Sequence, residues 1–270
     1  MIFVIFLVIA VLTGFFLYKK PKRLAVESFP AEWQSLLEEH VKFYRELPSE
    51  RQPEFKQRIM QFLNEVYIEG VQFEITDLDK LLVACSAVIP VFGFKEWHYI
   101  NLSGVLLYPD YFDEDLQFAD SDKTRNIGGL VGNGRFEKQM ILSNRALHQG
   151  FDNTTDKSNT GIHEFVHLID KMDGVTDGIP ERLLGHQYVI PWLDLMHKSM
   201  EEINDDKSDI REYGGTNQAE FFAVASEYFF ERPDLLEAKH PELFKMLRMC
   251  FNPGEVKSVV SVYLNIIKGS

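Results

Sequence analysis

The chain has 270 residues, 45% hydrophobic and 26% charged, the composition of a globular protein with enough apolar residues for a sizeable core. Its formal net charge of -13 argues against a nucleic-acid binder, which carries a basic face or stripe. Cys85 and Cys250 sit in apolar, helix-like contexts with no metal-ligand or redox spacing, so they read as buried free thiols of a reducing compartment.

Residues 1–18, MIFVIFLVIAVLTGFFLY, carry no charge and as a helix reach about 27 Å, just enough for a thin bilayer. Lys19, Lys20, Lys22 and Arg23 follow, and basic residues beside a span stay on the cytoplasmic side. The segment has neither the positive n-region nor the small-residue cleavage site of a signal peptide. The expected organisation is a transmembrane anchor over 1–18, a basic juxtamembrane linker over 19–30 and one domain over 31–270. That places the chain as a single-pass protein of the inner (cytoplasmic) membrane, its domain facing the cytoplasm.

Residues 31–47 read as an amphipathic helix with Trp33, Leu36, Leu37, Val41 and Tyr44 on one face, closed by Pro48. Residues 54–66 form a second, through Phe55, Ile59, Phe62, Leu63 and Val66. VQFEI, 71–75, alternates as a half-buried strand does. Thr76 and Asp79 have capping-box spacing before a helix through LLVACSAVIPVF, which Pro90 should end or kink. GVLLY, 104–108, predicts a strand, and the acidic DEDLQFADSD a mobile surface loop. QMILS, 139–143, is a second strong strand, either a candidate edge for an extended peptide to pair with or a central strand. The rest is mostly helical, over about 191–204, 217–231, 242–251 and 255–267. Helices, a few strands, then helices predict an α+β fold that is predominantly helical with a small sheet.

The chemistry concentrates in GIHEFVHLIDKMDG, 161–174. Residues four apart share one helix face, so His163 and His167 can present ring nitrogens to one point, as zinc at about 2.0–2.1 Å requires. Glu164, rotated about 100° from His163, lies beside that point, where a base acting on a water belongs. Ile162, Phe165, Val166 and Ile169 form an apolar stripe that holds the helix to a core, and Gly174 is its expected stop. Asp170 is placed to accept the second N–H of a ligating histidine.

A catalytic zinc takes three protein ligands, and NQAEFFAVASEYFFERP is the best source of the third. Glu220 stands among Ala219, Phe221, Phe222, Ala223, Val224 and Ala225, where an unpartnered carboxylate would cost several kcal/mol. Glu227 lies two turns further along the same face, and spacing alone does not choose between the two. Tyr213, ahead of Gly214 and Gly215, can swing a phenol toward an oxyanion.

In order and spacing, LLVACSAVIPVFGF, GVLLYPDYF, QMILS, GIHEFVHLIDKMDG and YGGTNQAEFFAVASEYFFERPDLL resemble the Mlc titration factor A family of zinc-dependent peptidases, over about residues 50–250. The resemblance implies a zincin-like fold of the gluzincin type, related in its core to the catalytic domain of anthrax lethal factor. It implies one zinc ion on His163, His167 and Glu220, Glu164 as catalytic base and Tyr213 as transition-state stabiliser. Glu227 and Asp170 are then supporting carboxylates behind the ligands. It also implies peptide or protein substrates, with aminopeptidase-type cleavage of small ones. The best-described member of the family binds a sugar-responsive transcriptional repressor, so the alternative function is a membrane-tethered regulatory binding protein that captures a transcriptional regulator, with weak or no proteolysis. The chain departs in its apparent membrane anchor, since that member is soluble, and in Val166, where alanine is frequent.

Overall fold

The structure, a computed structural model, describes residues 28–113, 116, 127–132 and 137–252. The anchor expected over 1–18, the basic cluster, most of the expected acidic loop and the helix expected over 255–267 lie outside them. Among the described residues no helix is long and apolar enough to cross a membrane.

The amphipathic stretch 31–47 is two helices, α1 (Trp33–His40) and α2 (Lys42–Glu46). Val41 between them takes extended backbone, and the resulting bend lets Leu37, Val41 and Tyr44 all reach the core. Helix α3 (Gln52–Glu65) follows with Pro53 in its first turn, where proline lacks no needed N–H. The next strand, β1, is Tyr67–Gly70, earlier than VQFEI. Gln72 stands at φ 64, which breaks the ladder, although Phe73 and Ile75 still pack against the core.

Helix α4 (Asp77–Val88) opens on the expected box: the Thr76 hydroxyl accepts the Asp79 N–H and the Asp79 carboxylate accepts the Thr76 N–H. A 3-10 turn over Ile89–Val91 ends it at Pro90. The sheet adds β2 (Gly104–Tyr108), β3 (Gly129–Val131) and β4 (Gln139–Ser143), in the order β1-β2-β4-β3. The first three run parallel and β3 is antiparallel to β4. QMILS is therefore an interior strand, which decides between its two readings and rules out the edge role. Met140, Ile141 and Leu142 are all fully buried, the signature of a strand covered on both faces. The edge on that side is β3.

Helix α5 (Asn144–Asp152) leads to α6 (Thr160–Asp170), which carries the motif. The Asn159 side chain caps α6 by accepting the Ile162 N–H at 3.0 Å. Ile162, Phe165, Val166 and Ile169 are all buried as expected, with Phe165 edge-on to Phe62 and Tyr99. Gly161 allows α6 to lie close to α4, since a Cβ there would stand 2.2 Å from Ser86 Oγ. Gly174, at φ 110, stops the 3-10 turn that follows α6. The remainder is helical: α7 (Val189–Asn204), α8 (Gln218–Glu231), α9 (Pro233–Lys239) and α10 (Pro241–Phe251). The small residues Ala223 and Ala225 are buried in α8, whose Phe221 and Phe222 pack on Trp192 of α7. The α+β, mostly helical fold expected from the order of elements is present. Both cysteines are buried free thiols.

One ion pair across α4 and α5 gives a pH prediction. His148 Nε2 donates to the buried Asp79 Oδ1 at 2.6 Å. That bond raises the His148 pKa above its ordinary 6.5, against burial, which lowers it. Burial works to raise Asp79, but His148 and Thr76 outweigh it and hold the carboxyl below 3.8. The Asp79 contribution is present above pH 3.8 and lost as pH falls through its depressed value. The His148 contribution is present below pH 6.5 and lost as pH rises through its raised value. The Tm difference between the native chain and His148→Asn should thus peak between pH 3.8 and 6.5 and shrink above neutrality. A difference constant from pH about 4 to 9 would show that this linkage contributes nothing.

Candidate metal centre

Helices α6 and α8 pack face to face, and their polar residues meet at the mouth of a cleft of about 1010 Å³. One turn of α6 brings His163 and His167 Nε2 to 3.1 Å from each other. The first turn of α8, capped by the Asn217 side chain, presents Glu220. Its Oε2 lies 3.1 Å from His163 Nε2 and 3.4 Å from His167 Nε2. Ligands about 2.0–2.1 Å from a tetrahedral centre stand roughly 3.3 Å apart, so this triangle has the dimensions of three zinc ligands. Two imidazole nitrogens and one carboxylate oxygen are also the right donor set. Glu227, the other glutamate on that face, is not in the triangle.

Glu227 lies behind His163, with only 1% of its surface exposed. Its Oε1 accepts His163 Nδ1–H at 2.7 Å and also the Arg211 guanidinium. Its Oε2 accepts the Asn159 backbone N–H at 2.5 Å. The bond to Nδ1 leaves Nε2 of His163 as the nitrogen that faces the cleft. Burial works against charge on His163, yet the Glu227 carboxylate and the bonds to Glu220 and Glu227 outweigh it and push its pKa up to about 10. Burial would also raise Glu220, but His163 and His167 hold its carboxyl well below the usual range.

Glu164 is buried beside the triangle, and burial lifts its carboxyl above the ordinary value although both imidazoles pull the other way. Its side chain lies against Gly129 of β3, so Glu164 and the sheet edge share one wall. Lys171 Nζ donates to Gly132 O at 3.3 Å, tying the end of β3 to the end of α6. Tyr213, in a 3-10 turn over Glu212–Gly215, is 39% exposed and stacks on His163 with ring centres 6.0 Å apart.

Asp170 departs from expectation. It is fully buried, but its carboxylate accepts the Gly178 N–H at 2.8 Å. Asp170 Oδ1 and His167 Nδ1 are both buried and make no hydrogen bond to each other or to any described residue. The chain turns back after Gly174, which brings Gly178 to the carboxylate. Burial pushes the Asp170 pKa up to about 7. Sequence reasoning missed Arg211 and Gly129. Neither stands in a periodic pattern, and each matters only through a contact distant in sequence.

Residues 16–252 match the profile of the glucose-regulated metallo-peptidase M90 family. The chain belongs to that family. Mlc titration factor A of Cronobacter sakazakii is 30% identical over 238 residues, 84% of this chain and 86% of that protein. Its counterpart in Klebsiella pneumoniae subsp. pneumoniae is 29% identical over 87% of this chain and 90% of that protein. The uncharacterized protein slr2042 of Synechocystis sp. is 27% identical, with 87% and 89% covered. Membership in a metallopeptidase family implies a metal, and in this M90 chain His163, His167 and Glu220 are the described residues placed to hold one.

Proposed function

We propose that this M90 chain is a zinc-dependent peptidase, with the ion held by Nε2 of His163, Nε2 of His167 and the Glu220 carboxylate. The observation that carries the reading is the triangle of ligand atoms at 3.1, 3.1 and 3.4 Å, open to a large cleft. Bound there, zinc supplies Lewis-acid polarisation of the scissile carbonyl and a water acidic enough to attack near neutral pH. Glu164 would take the proton of the attacking water and pass it to the leaving amine, a task suited to a carboxylate raised by burial. Tyr213 donates its hydroxyl to the developing oxyanion. The edge strand β3, whose residues line the cleft, offers backbone groups for an extended peptide, replacing QMILS in that role. Aminopeptidase-type cleavage of small peptides is the finer form of the reading and follows from the family resemblance. The uncharged residues 1–18 and the basic cluster after them support an inner-membrane tether with the domain in the cytoplasm.

Elemental analysis of the purified chain should find about one zinc per molecule, as one ligand set predicts. Chelation should stop hydrolysis of a peptide library, and added zinc should restore it. Hydrolysis that survives complete removal of metal would refute the reading.

A second reading rests on the relatives' printed name. "Mlc titration factor A" speaks of titrating a partner called Mlc. By that analogy this chain captures a transcriptional regulator, with weak or no proteolysis. A variant lacking both histidines separates the readings: undiminished partner capture, with no peptidase activity in the native chain, favours the binder.

A further inference from the structure

We propose that Arg211 is a positioning residue, a clamp on Glu227 that orients His163 and ties the Tyr213 segment to the helix pair α6 and α8. The inference rests on the zinc-peptidase reading. Glu227 is a buried carboxylate at the junction of three elements. It receives the N–H of Asn159 at the start of α6, the imidazole of His163 one turn later and the guanidinium of Arg211 from the segment before α8. A carboxylate behind a ligating histidine fixes the ring and raises its basicity, and such partners themselves need holding. Arg211 supplies a charge-assisted bond to a carboxylate that would otherwise be buried with two donors only.

The same segment grips His163 a second time. Tyr213, two residues after Arg211, lies over the imidazole face at an interplanar angle of 28°. His163 is thus held on its Nδ1 edge through Glu227 and covered on its face by Tyr213. The segment is itself anchored at Asp209, two residues before Arg211. The Asp209 carboxylate accepts Lys157 Nζ at 2.7 Å, Tyr228 Oη at 2.9 Å, Lys239 Nζ at 2.9 Å and His240 Nε2 at 2.8 Å. Lys157 lies two residues before Asn159, and Tyr228 directly follows Glu227. Asp209 therefore fixes the segment beside both helices, and Arg211 carries that placement to the ligand.

Zinc affinity of the full chain, measured by competition with a chelating dye, tests the clamp apart from turnover. Arg211→Met should bind zinc about tenfold to a hundredfold more weakly than the native chain. Arg211→Lys, which keeps a cation but not the planar fork, should fall between the two. Peptide hydrolysis by the zinc-loaded Arg211→Met chain should lose kcat with KM little changed. Native zinc affinity in Arg211→Met overturns the clamp and leaves the metal site standing, whereas a native chain that takes up no zinc overturns both. If Arg211→Met does not fold, Arg211→Lys decides, and native affinity in that variant overturns the proposal.

Discussion

Glu164→Gln should lower kcat about 10²- to 10⁴-fold while zinc stays bound at native stoichiometry. The amide has nearly the shape of the carboxylate, so packing in the buried site beside Gly129 is preserved. What it lacks is a lone pair basic enough to take a proton at neutral pH. The ligand atoms of His163, His167 and Glu220 are untouched, and the change removes one negative charge beside the site that would attract a dication. Zinc affinity should therefore hold or fall slightly. Steady-state kinetics with metal analysis on the same preparation checks both halves. Native turnover in Glu164→Gln would assign proton transfer to another group and sink this mechanism.

Gly129→Val should be nearly as damaging, through position and not through chemistry. A Cβ at residue 129 would stand 2.4 Å from Glu164 Cγ and 2.7 Å from its Cδ and Oε1. The intrusion meets the middle of the side chain as well as its end, so the carboxylate must swing away from the cleft. A displacement of about 1 Å in a catalytic group can cost on the order of 10² in rate. Gly129→Ala should lower kcat at least tenfold by the same clash, and Gly129→Val more, since its branched side chain adds volume at the same wall. Zinc content should be unchanged because the atoms nearest this position belong to Glu164 and not to His163, His167 or Glu220. Stability should fall too, by about 1–3 kcal/mol, because the new side chain overpacks the wall against the buried Glu164. Native kcat in Gly129→Val would show that Glu164 has room to act elsewhere in the cleft.

These two residues mark the limits of reading the chain by itself. Glu164 was legible because an i, i+4 histidine pair with a glutamate after the first has a geometric meaning fixed by the α-helix. Gly129 was not, because its role is the absence of a side chain opposite a residue 35 positions later. Glu220 and Glu227 fall between these cases. Both lie on one face of α8, and spacing did not separate them. Only the docking of α6 onto α8 puts Glu220 level with both Nε2 atoms and Glu227 level with Nδ1 of His163. Asp170 shows the reverse error. Its spacing from His167 suggested a hydrogen bond, but the return of the chain at Gly178 supplies a backbone N–H instead.

The secondary structure divides in the same way. The apolar stripe of α6, the Thr76–Asp79 box and the strands GVLLY and QMILS follow from local periodicity and capping, which short-range sterics impose on any chain of that sequence. Which strand forms the edge does not follow, because it depends on pairing between segments far apart. The short GLV segment, whose pattern is too brief to read, covers QMILS and becomes the wall beside Glu164. Local pattern was thus enough for the candidate ligand types, their helical spacing and the predominantly helical α+β class. Which glutamate joins the histidines, which strand edge faces the cleft and how Arg211 reaches Glu227 emerge only once the elements dock. Helical geometry acts over one or two turns, whereas these contacts are set by the packing of elements that are distant in the chain.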